Sequence, residues 1–197
     1  MKVLFIGNSH TFVHYVPART AEFCKSYGQP IEPVMLTHPG MGLDWHLRQS
    51  QTYFNLLWGG YDAVILQHNA HPFPGKESLL EAGEQMAAIT PEGTKIYLYM
   101  TWSEKSNPAG QAAMSAAYEA LAEKIDATIC PVGRIWWQTR RPTRMKNSIL
   151  PMENTALCWA RLWQQRLSGA RCWAWRSRRR VAMQMPRAWK GCGLIPE

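Results

Sequence analysis

A serine near the amino terminus is the residue best placed to act as a nucleophile. Ser9 follows the apolar run of residues 3–6 and a Gly7-Asn8 step at which the backbone must turn. The run is typical of a short buried strand, and a helical pattern begins soon after, near Pro17. A strand, a turn and a helix in this order place Ser9 at the carboxyl end of a strand, where ligands bind in open α/β sheets. N–H groups at the start of a helix favour negative charge that develops there.

The apolar pattern around this serine alternates between strands and helices. We predict strands over residues 3–6, 31–37, 62–67, 94–101 and 127–132, and helices over residues 17–27, 44–57, 76–89 and 108–126. The third strand is apolar enough to be buried on both faces, as strands of parallel sheets are. The sequence therefore predicts an α/β fold over residues 1–140, with a three-layer α/β/α, flavodoxin-like sheet of about five parallel strands.

Two further turns follow predicted strands and complete a set with the first. Gly40 and Gly42 lie after the second strand, and Asn69 lies after the third, two residues beyond Gln67. Together with Gly7-Asn8-Ser9 after the first strand, these turns resemble those of the SGNH hydrolases, also called GDSL-like esterases. A turn that is only structural, or that binds phosphate as in flavodoxin-like proteins, is the alternative for Gly7-Asn8-Ser9.

The resemblance, which covers about residues 2–140, implies an ester hydrolase in which Ser9 is the nucleophile. It implies that the N–H of Ser9, the N–H of Gly40 and the side chain of Asn69 form the oxyanion hole. Gly42 is the alternative backbone donor if the turn is aligned two residues later. Fixed donors aimed at the oxygen that becomes negative in acyl transfer are worth a rate factor of ~10²–10³ each.

The chain departs from the family pattern at three points. Asn8 stands where many members have aspartate, and Gln67 replaces a usual glycine. The third departure concerns the base, because the resemblance implies a D-x-x-H stretch after the fifth strand, in which the aspartate orients the histidine. These 197 residues hold no histidine after His71 and no aspartate after Asp126. A serine hydroxyl without a base is a weak nucleophile, so we expect this chain to be poorly active or inactive.

Four of the histidines that the chain does contain lie near the predicted turns and could in principle act as bases or metal ligands. His68 and His71 could be metal ligands or substitute bases, but a spacing of three in a loop with prolines favours imidazoles that are satisfied or face solvent. His10 points differently along the chain from Ser9, and we do not expect it to be the base. We expect His46 on a helix surface or lining the pocket.

Two different compositions meet near Arg140. Residues 1–140 hold ten basic and twelve acidic side chains, whereas residues 141–197 hold twelve basic and two acidic ones and five of the ten tryptophans. From residue 133 onward no period of a strand or helix is visible, so no packed element is predicted there. An acid-poor, Arg/Trp-rich segment is typical of translation out of frame, and the shifted frame after Arg140 permits a D-x-x-H stretch. We therefore predict a domain over 1–140 and a basic tail over 141–197 that is out of frame and not a domain.

Composition also argues against several other classes of protein. Five cysteines with no C-x-x-C pair argue against a disulfide framework or a zinc site, and Cys24 and Cys130 are expected to be core thiols. No apolar run reaches the 18 residues of a membrane span, and the first residues are too short for a signal peptide, which predicts a cytoplasmic protein. The net charge of +8 resides in a tail without periodicity, so a nucleic-acid partner is not expected.

The resemblance therefore predicts a serine ester hydrolase that acts on small acyl esters, such as acetyl groups on carbohydrates, without a metal or cofactor. A second hypothesis is a non-catalytic α/β protein that binds a small molecule in a polar pocket at the strand ends. A third is a nucleic-acid binder that acts through its basic tail. The sequence predicts no oligomeric state.

Overall fold

A parallel five-stranded sheet forms the centre of the computed structural model, which describes residues 1–139. The spatial order of its strands is β2-β1-β3-β4-β5. The strands are β1 (Lys2–Gly7), β2 (Glu32–Thr37), β3 (Ala63–Leu66), β4 (Lys95–Tyr99) and β5 (Thr128–Cys130). The predicted α/β class and the five parallel strands are confirmed, while the predictions for residues 141–197 lie outside the described residues.

Seven helices connect and follow these strands in the described part of the chain. They are α1 (Ser9–Phe12), α2 (Val16–Ser26), α3 (Leu43–His46), α4 (Ser50–Trp58), α5 (Lys76–Ile89), α6 (Gly110–Lys124) and α7 (Val132–Thr139), with a 3-10 turn at Val13–Tyr15. The single helix predicted over 44–57 is wrong, because α3 and α4 are separate. Among the helices of residues 1–139, none is both long and apolar enough to cross a membrane.

The strand order places helices on both faces of the sheet. The chain passes from β1 to β2 in one direction and from β3 to β5 in the other. Because parallel crossovers are right-handed, α2 lies on one face and α3 to α6 lie on the opposite face, while Val132 of α7 packs on the face of α2. The alternation in β1 matches this arrangement: Leu4 and Ile6 pack with the core of α3 to α6, and Val3 and Phe5 pack with Val16 of α2. The predicted three-layer architecture is confirmed.

The strand register brings the predicted functional turns to one edge of the sheet. Gly7 of β1 lies opposite Thr37 of β2, and Ile6 lies opposite Leu66 of β3. The ladder continues for one step, because the N–H of Gln67 donates to the Ile6 carbonyl at 2.9 Å. The segments after β1, β2 and β3 therefore leave the sheet at the same level and next to one another.

The last helix, α7, corrects the expectation that no packed element follows residue 133. Val132 is fully buried, and the Trp136 ring stacks on Trp102 with centroids 5.6 Å apart. The N–H of Gly133 donates to the Met100 carbonyl at 2.9 Å. An eight-residue helix that packs mainly through Val132 and Trp136 shows too few repeats for its period to stand out beside the tryptophans of the tail.

Gly133 should be intolerant of any side chain. A Cβ at this position would lie 1.9 Å from the carbonyl oxygen of Thr101, a backbone atom that cannot rotate away. We expect Gly133→Ala to lower the free energy of unfolding by about 1–3 kcal/mol through overpacking. Urea denaturation followed by circular dichroism measures this. Gln138→Ala, on an exposed position of the same helix, is the control and should change stability by less than about 0.5 kcal/mol; equal effects of the two would contradict the packing argument.

Candidate functional site

Ser9 is the first residue of α1, directly after the turn that ends β1. The sequence placed the following helix near Pro17, but α1 begins at Ser9 itself, with Asn8 as its N-cap. Ser9 is half-buried. Its hydroxyl and its N–H have no hydrogen-bond acceptor or donor among residues 1–139. Ser9 therefore lies at the carboxyl end of a central strand, as predicted, with its polar groups available.

The side chain of Gln67 holds this turn in place. Its Oε1 accepts hydrogen bonds from the N–H of Asn8 at 2.8 Å and from the hydroxyl of Thr11 at 2.9 Å, and its Nε2 donates to the carbonyl of His68. Gln67 is fully buried, and so each of these groups would be costly to leave unpaired. A Cβ on Gly7 would lie 2.5 Å from Gln67 Oε1, which explains the glycine. Gln67, which stands where the resembling family usually has glycine, thus has a structural role that sequence reasoning missed.

The side chain of Asn8 contacts all three turns. Its Oδ1 accepts from the N–H of His10 at 3.1 Å. Its Nδ2 donates to the carbonyl of Met41, between the two glycines of the second turn, at 3.0 Å, and to Oδ1 of Asn69 at 2.9 Å. Asn8 is 3% exposed. The predicted nucleophile, the glycine turn and Asn69 are therefore connected through one buried amide that sequence reasoning treated only as a variant of aspartate.

The two glycines of the second turn differ in their surroundings. Gly40 is exposed and has φ +72°, the left-handed region that favours glycine. Gly42 is buried, and a Cβ there would lie 2.6 Å from Asp44 Oδ1 and 2.8 Å from the His68 ring. Neither N–H donates to a residue within the described range. The choice of Gly40 over Gly42 as the backbone donor stays a prediction; of the two, Gly40 is the more exposed to solvent.

His68 is a neutral core residue. Its Nδ1 accepts from the N–H of Leu43 at 3.0 Å, so its proton is on Nε2, which lies 3.2 Å from the Ser78 hydroxyl. Burial lowers the pKa of His68 to about 4, partly opposed by Asp44. The expectation of a satisfied imidazole is confirmed for His68. His71, the other member of the pair, is exposed, as the solvent-facing alternative has it.

His46 was expected on a helix surface or in the pocket, and this expectation is wrong. His46 is 1% exposed, and its Nε2 donates to the carbonyl of Gly7 at 2.9 Å. Burial is the main cause that lowers the pKa of His46. The physical reason is that α3 is a single turn whose inner side lies against the end of β1.

His10 lies in an aromatic cluster beside the site. Its ring contacts His71 edge-on with centroids 4.7 Å apart and Trp102 at 5.2 Å. Burial and the neighbouring His71 lower the pKa of His10 to about 4. The Nε2 of His71 lies 3.1 Å from the carbonyl of Trp102. No histidine bonded to Ser9 is found in the part of the chain that the structure describes.

Acidic and sulfur ligands do not gather at this edge of the sheet. Within residues 1–139 no group of three or more His, Cys, Asp or Glu side chains is placed to hold a metal ion. Cys24 and Cys130 lie in the core, 1% and 0% exposed, as expected from the sequence.

Comparison with known proteins identifies the fold. No family model matches the chain, and no curated protein matches it. Solved structures do match. A protein assigned to the SGNH hydrolases from Slackia heliotrinireducens superimposes with a TM-score of 0.63 at 19% identity, covering 82% of this chain and 97% of that one. A member of the lipolytic G-D-S-L family from Veillonella parvula gives a TM-score of 0.62 at 10% identity, covering 84% and 99%. AlinE4, an SGNH-hydrolase family esterase, gives 0.52 at 16% identity, covering 84% and 96%.

Gly7 and Gln67 should be energetically coupled. Gly7→Ala pushes a methyl group to 2.5 Å from Gln67 Oε1 and 2.6 Å from Thr11 Oγ1. In a Gln67→Ala background the first of these two clashes disappears. We expect each single change to destabilise the protein and the double variant to be more stable than the sum predicts, by about 0.5–3 kcal/mol. Urea denaturation of all four proteins measures this coupling. Strictly additive losses would contradict the close packing of these two residues.

The neutral His68 predicts a pH dependence of stability. Its pKa is about 4 in the folded protein and near 6.5 when unfolded, so the unfolded chain binds more protons below pH 6.5. Folding stability is therefore complete above pH 6.5 and declines as the pH falls toward 4, by up to about 3 kcal/mol from this residue. Urea midpoints between pH 7 and 4.5 should fall less steeply for His68→Gln than for the wild type. Gln138→Ala, which removes an exposed side chain that does not titrate, should keep the wild-type slope.

Proposed function

This chain has the fold of the SGNH hydrolases, and on that premise we propose that it carries the site of a serine ester hydrolase that acts on small acyl esters. Acetyl groups on carbohydrates are the proposed substrate class. Ser9 is the proposed nucleophile. The proposed oxyanion hole consists of the N–H of Ser9, the N–H of Gly40 and Nδ2 of Asn69.

One observation carries the proposal: three hydrogen-bond donors on adjacent turns at one edge of the sheet have no acceptors of their own. The N–H of Ser9, the N–H of Gly40 and Nδ2 of Asn69 find no acceptor among residues 1–139. The bonds from Asn8 Nδ2 to the Met41 carbonyl and to Asn69 hold the three turns together. Donors that are fixed in advance and left unpaired are what an oxyanion requires.

The arrangement supports acyl transfer in two steps. The Ser9 oxygen attacks the ester carbonyl carbon, its proton passes to a base, and the carbonyl oxygen becomes an oxyanion held by the donors. The oxyanion then collapses, the alcohol leaves with that proton, and an acyl-serine remains. Water attacks the acyl-serine through a second oxyanion, which releases the carboxylic acid and restores Ser9.

The 197 residues lack the histidine that the family pattern would use as the proton acceptor. No histidine follows His71 and no aspartate follows Asp126. We propose that the segment after about Arg140 is out of frame and that the chain as written is impaired. Loss of the base and its orienting carboxylate costs ~10⁴–10⁶ in turnover in serine triads.

Exogenous imidazole should restore part of the missing step, because it can take the proton of Ser9 while the donors remain in place. We expect the full chain to hydrolyse p-nitrophenyl acetate faster as imidazole is added, in excess of the same reaction with Ser9→Ala. The Ser9→Ala protein measures the hydrolysis that imidazole causes alone. A frame-restored protein with a D-x-x-H stretch should be active without imidazole.

The outcomes of this assay separate the hypotheses. If neither the full chain with imidazole nor the frame-restored protein shows turnover that depends on Ser9, the esterase proposal fails, and a non-catalytic binding protein is favoured. If the coding DNA of close relatives reads through this same tail in frame, the frameshift hypothesis fails independently of the esterase proposal.

A further inference from the structure

We propose that Asn8 is a positioning residue, whose amide turns Asn69 so that its Nδ2, and not its Oδ1, is presented to the oxyanion. This inference rests on the proposed function, because the oxyanion is that of the esterase reaction. It concerns a residue whose role the serine, glycine and asparagine motifs do not assign.

The orientation of the Asn8 amide is determined by two backbone groups. The N–H of His10 can only donate, and it lies 3.1 Å from one end of the amide, which must therefore be Oδ1. The carbonyl of Met41 can only accept, and it lies 3.0 Å from the other end, which must therefore be Nδ2. The usual ambiguity between amide oxygen and nitrogen does not arise at this residue.

The orientation of Asn69 follows from that of Asn8. The second hydrogen of Asn8 Nδ2 is directed to the Asn69 side chain at 2.9 Å, so the facing atom must accept and is Oδ1. The Nδ2 of Asn69 is consequently on the other side, with no acceptor among the described residues. Both of its hydrogens are available to a negatively charged oxygen.

Burial makes this orientation firm. Asn8 is 3% exposed, so water cannot readily replace either of its donor bonds. A polar group left unpaired in such a place costs about 1–3 kcal/mol, which penalises any rotation of either amide. Because the same Nδ2 also binds the Met41 carbonyl, Asn8 fixes the glycine turn and Asn69 relative to each other.

The amide of Asn8 also differs in its hydrogen bonding from the carboxylate that many members of the resembling family have at this position. An ionised aspartate has no hydrogen to donate, and here it would face two carbonyl oxygens, those of Met41 and Asn69. Asn69 would have to rotate to offer one Nδ2 hydrogen to the carboxylate, which would leave only the other hydrogen for the oxyanion and move it from its present position. In this chain, the present orientation of the donor at position 69 therefore depends on asparagine at position 8.

The test compares Asn8→Asp, Asn8→Ala and a control, Asn107→Asp, which makes the same chemical change at an exposed side chain that only accepts. Turnover of p-nitrophenyl acetate is measured in the full chain with imidazole, after subtraction of the Ser9→Ala rate. We expect kcat to fall for both Asn8 variants, by up to the ~10²–10³ that one whole oxyanion donor is worth, with KM changed less than about threefold. Asn107→Asp should match the wild type.

The pH profile distinguishes positioning from a merely structural role. A protonated aspartate carries an O–H that can donate to Asn69 Oδ1, so the ratio of Asn8→Asp to wild-type kcat should rise as the pH falls. The same ratio for Asn8→Ala should stay flat. An Asn8→Asp kcat within twofold of the wild type at neutral pH, in a folded protein, would overturn the proposal.

A second measurement does not depend on activity. In ¹⁵N-labelled wild-type protein, the side-chain amide hydrogens of Asn8 should exchange with water more slowly than those of Asn69. Protected Asn69 and unprotected Asn8 hydrogens would refute the orientation whatever the turnover. If the protection is as expected but no turnover depends on Ser9 in the wild type, the esterase proposal fails and the amide geometry stands.

Discussion

The site depends on one hydrogen bond, which the N–H of Asn8 donates to the buried side chain of Gln67. Gln67 lies one residue beyond β3 and Asn8 one residue beyond β1, so a single hydrogen bond of 2.8 Å joins the turns of two neighbouring strands. The same oxygen binds Thr11 in α1, which sets the direction in which the chain leaves the strand. The space that Gln67 occupies excludes a side chain at position 7. With the backbone of Asn8 held in this way, its amide bonds to the Met41 carbonyl and to Asn69.

The groups that surround this bond are polar but neutral. His46 holds the carbonyl of Gly7 and His68 holds the N–H of Leu43, and burial lowers the pKa of both imidazoles. With the amides of Asn8 and Gln67 they form a set of hydrogen-bonded dipoles around the turns that follow β1, β2 and β3. Such dipoles act strongly in a medium of low polarity and need little rearrangement when charge develops near them.

Local pattern predicted much of the fold and the position of Ser9, but not the contacts beneath it. The α/β class follows from apolar runs such as that of β3, and the helix predicted over 76–89 matches α5 at both ends. The division between α3 and α4 could not be foreseen, because His46 is anchored to Gly7, 39 residues away. The partners of Asn8 at Gln67 and Asn69 are 59 and 61 residues distant, and no spacing rule connects them. Tertiary contacts of this kind decide the site, and single-sequence periodicity does not carry them.

The level register of β1, β2 and β3 has an evolutionary consequence. Every group proposed to receive the negative charge is encoded within the first 69 codons, in the turns that follow β1 and its two neighbouring strands. The resemblance noted in the sequence implies that the proton acceptor is encoded further downstream, after β5. A single genetic lesion can therefore remove one half of the catalytic apparatus while the other half is inherited intact. A gene in that condition retains a scaffold from which a nearby histidine, gained by mutation, could restore or redirect the chemistry.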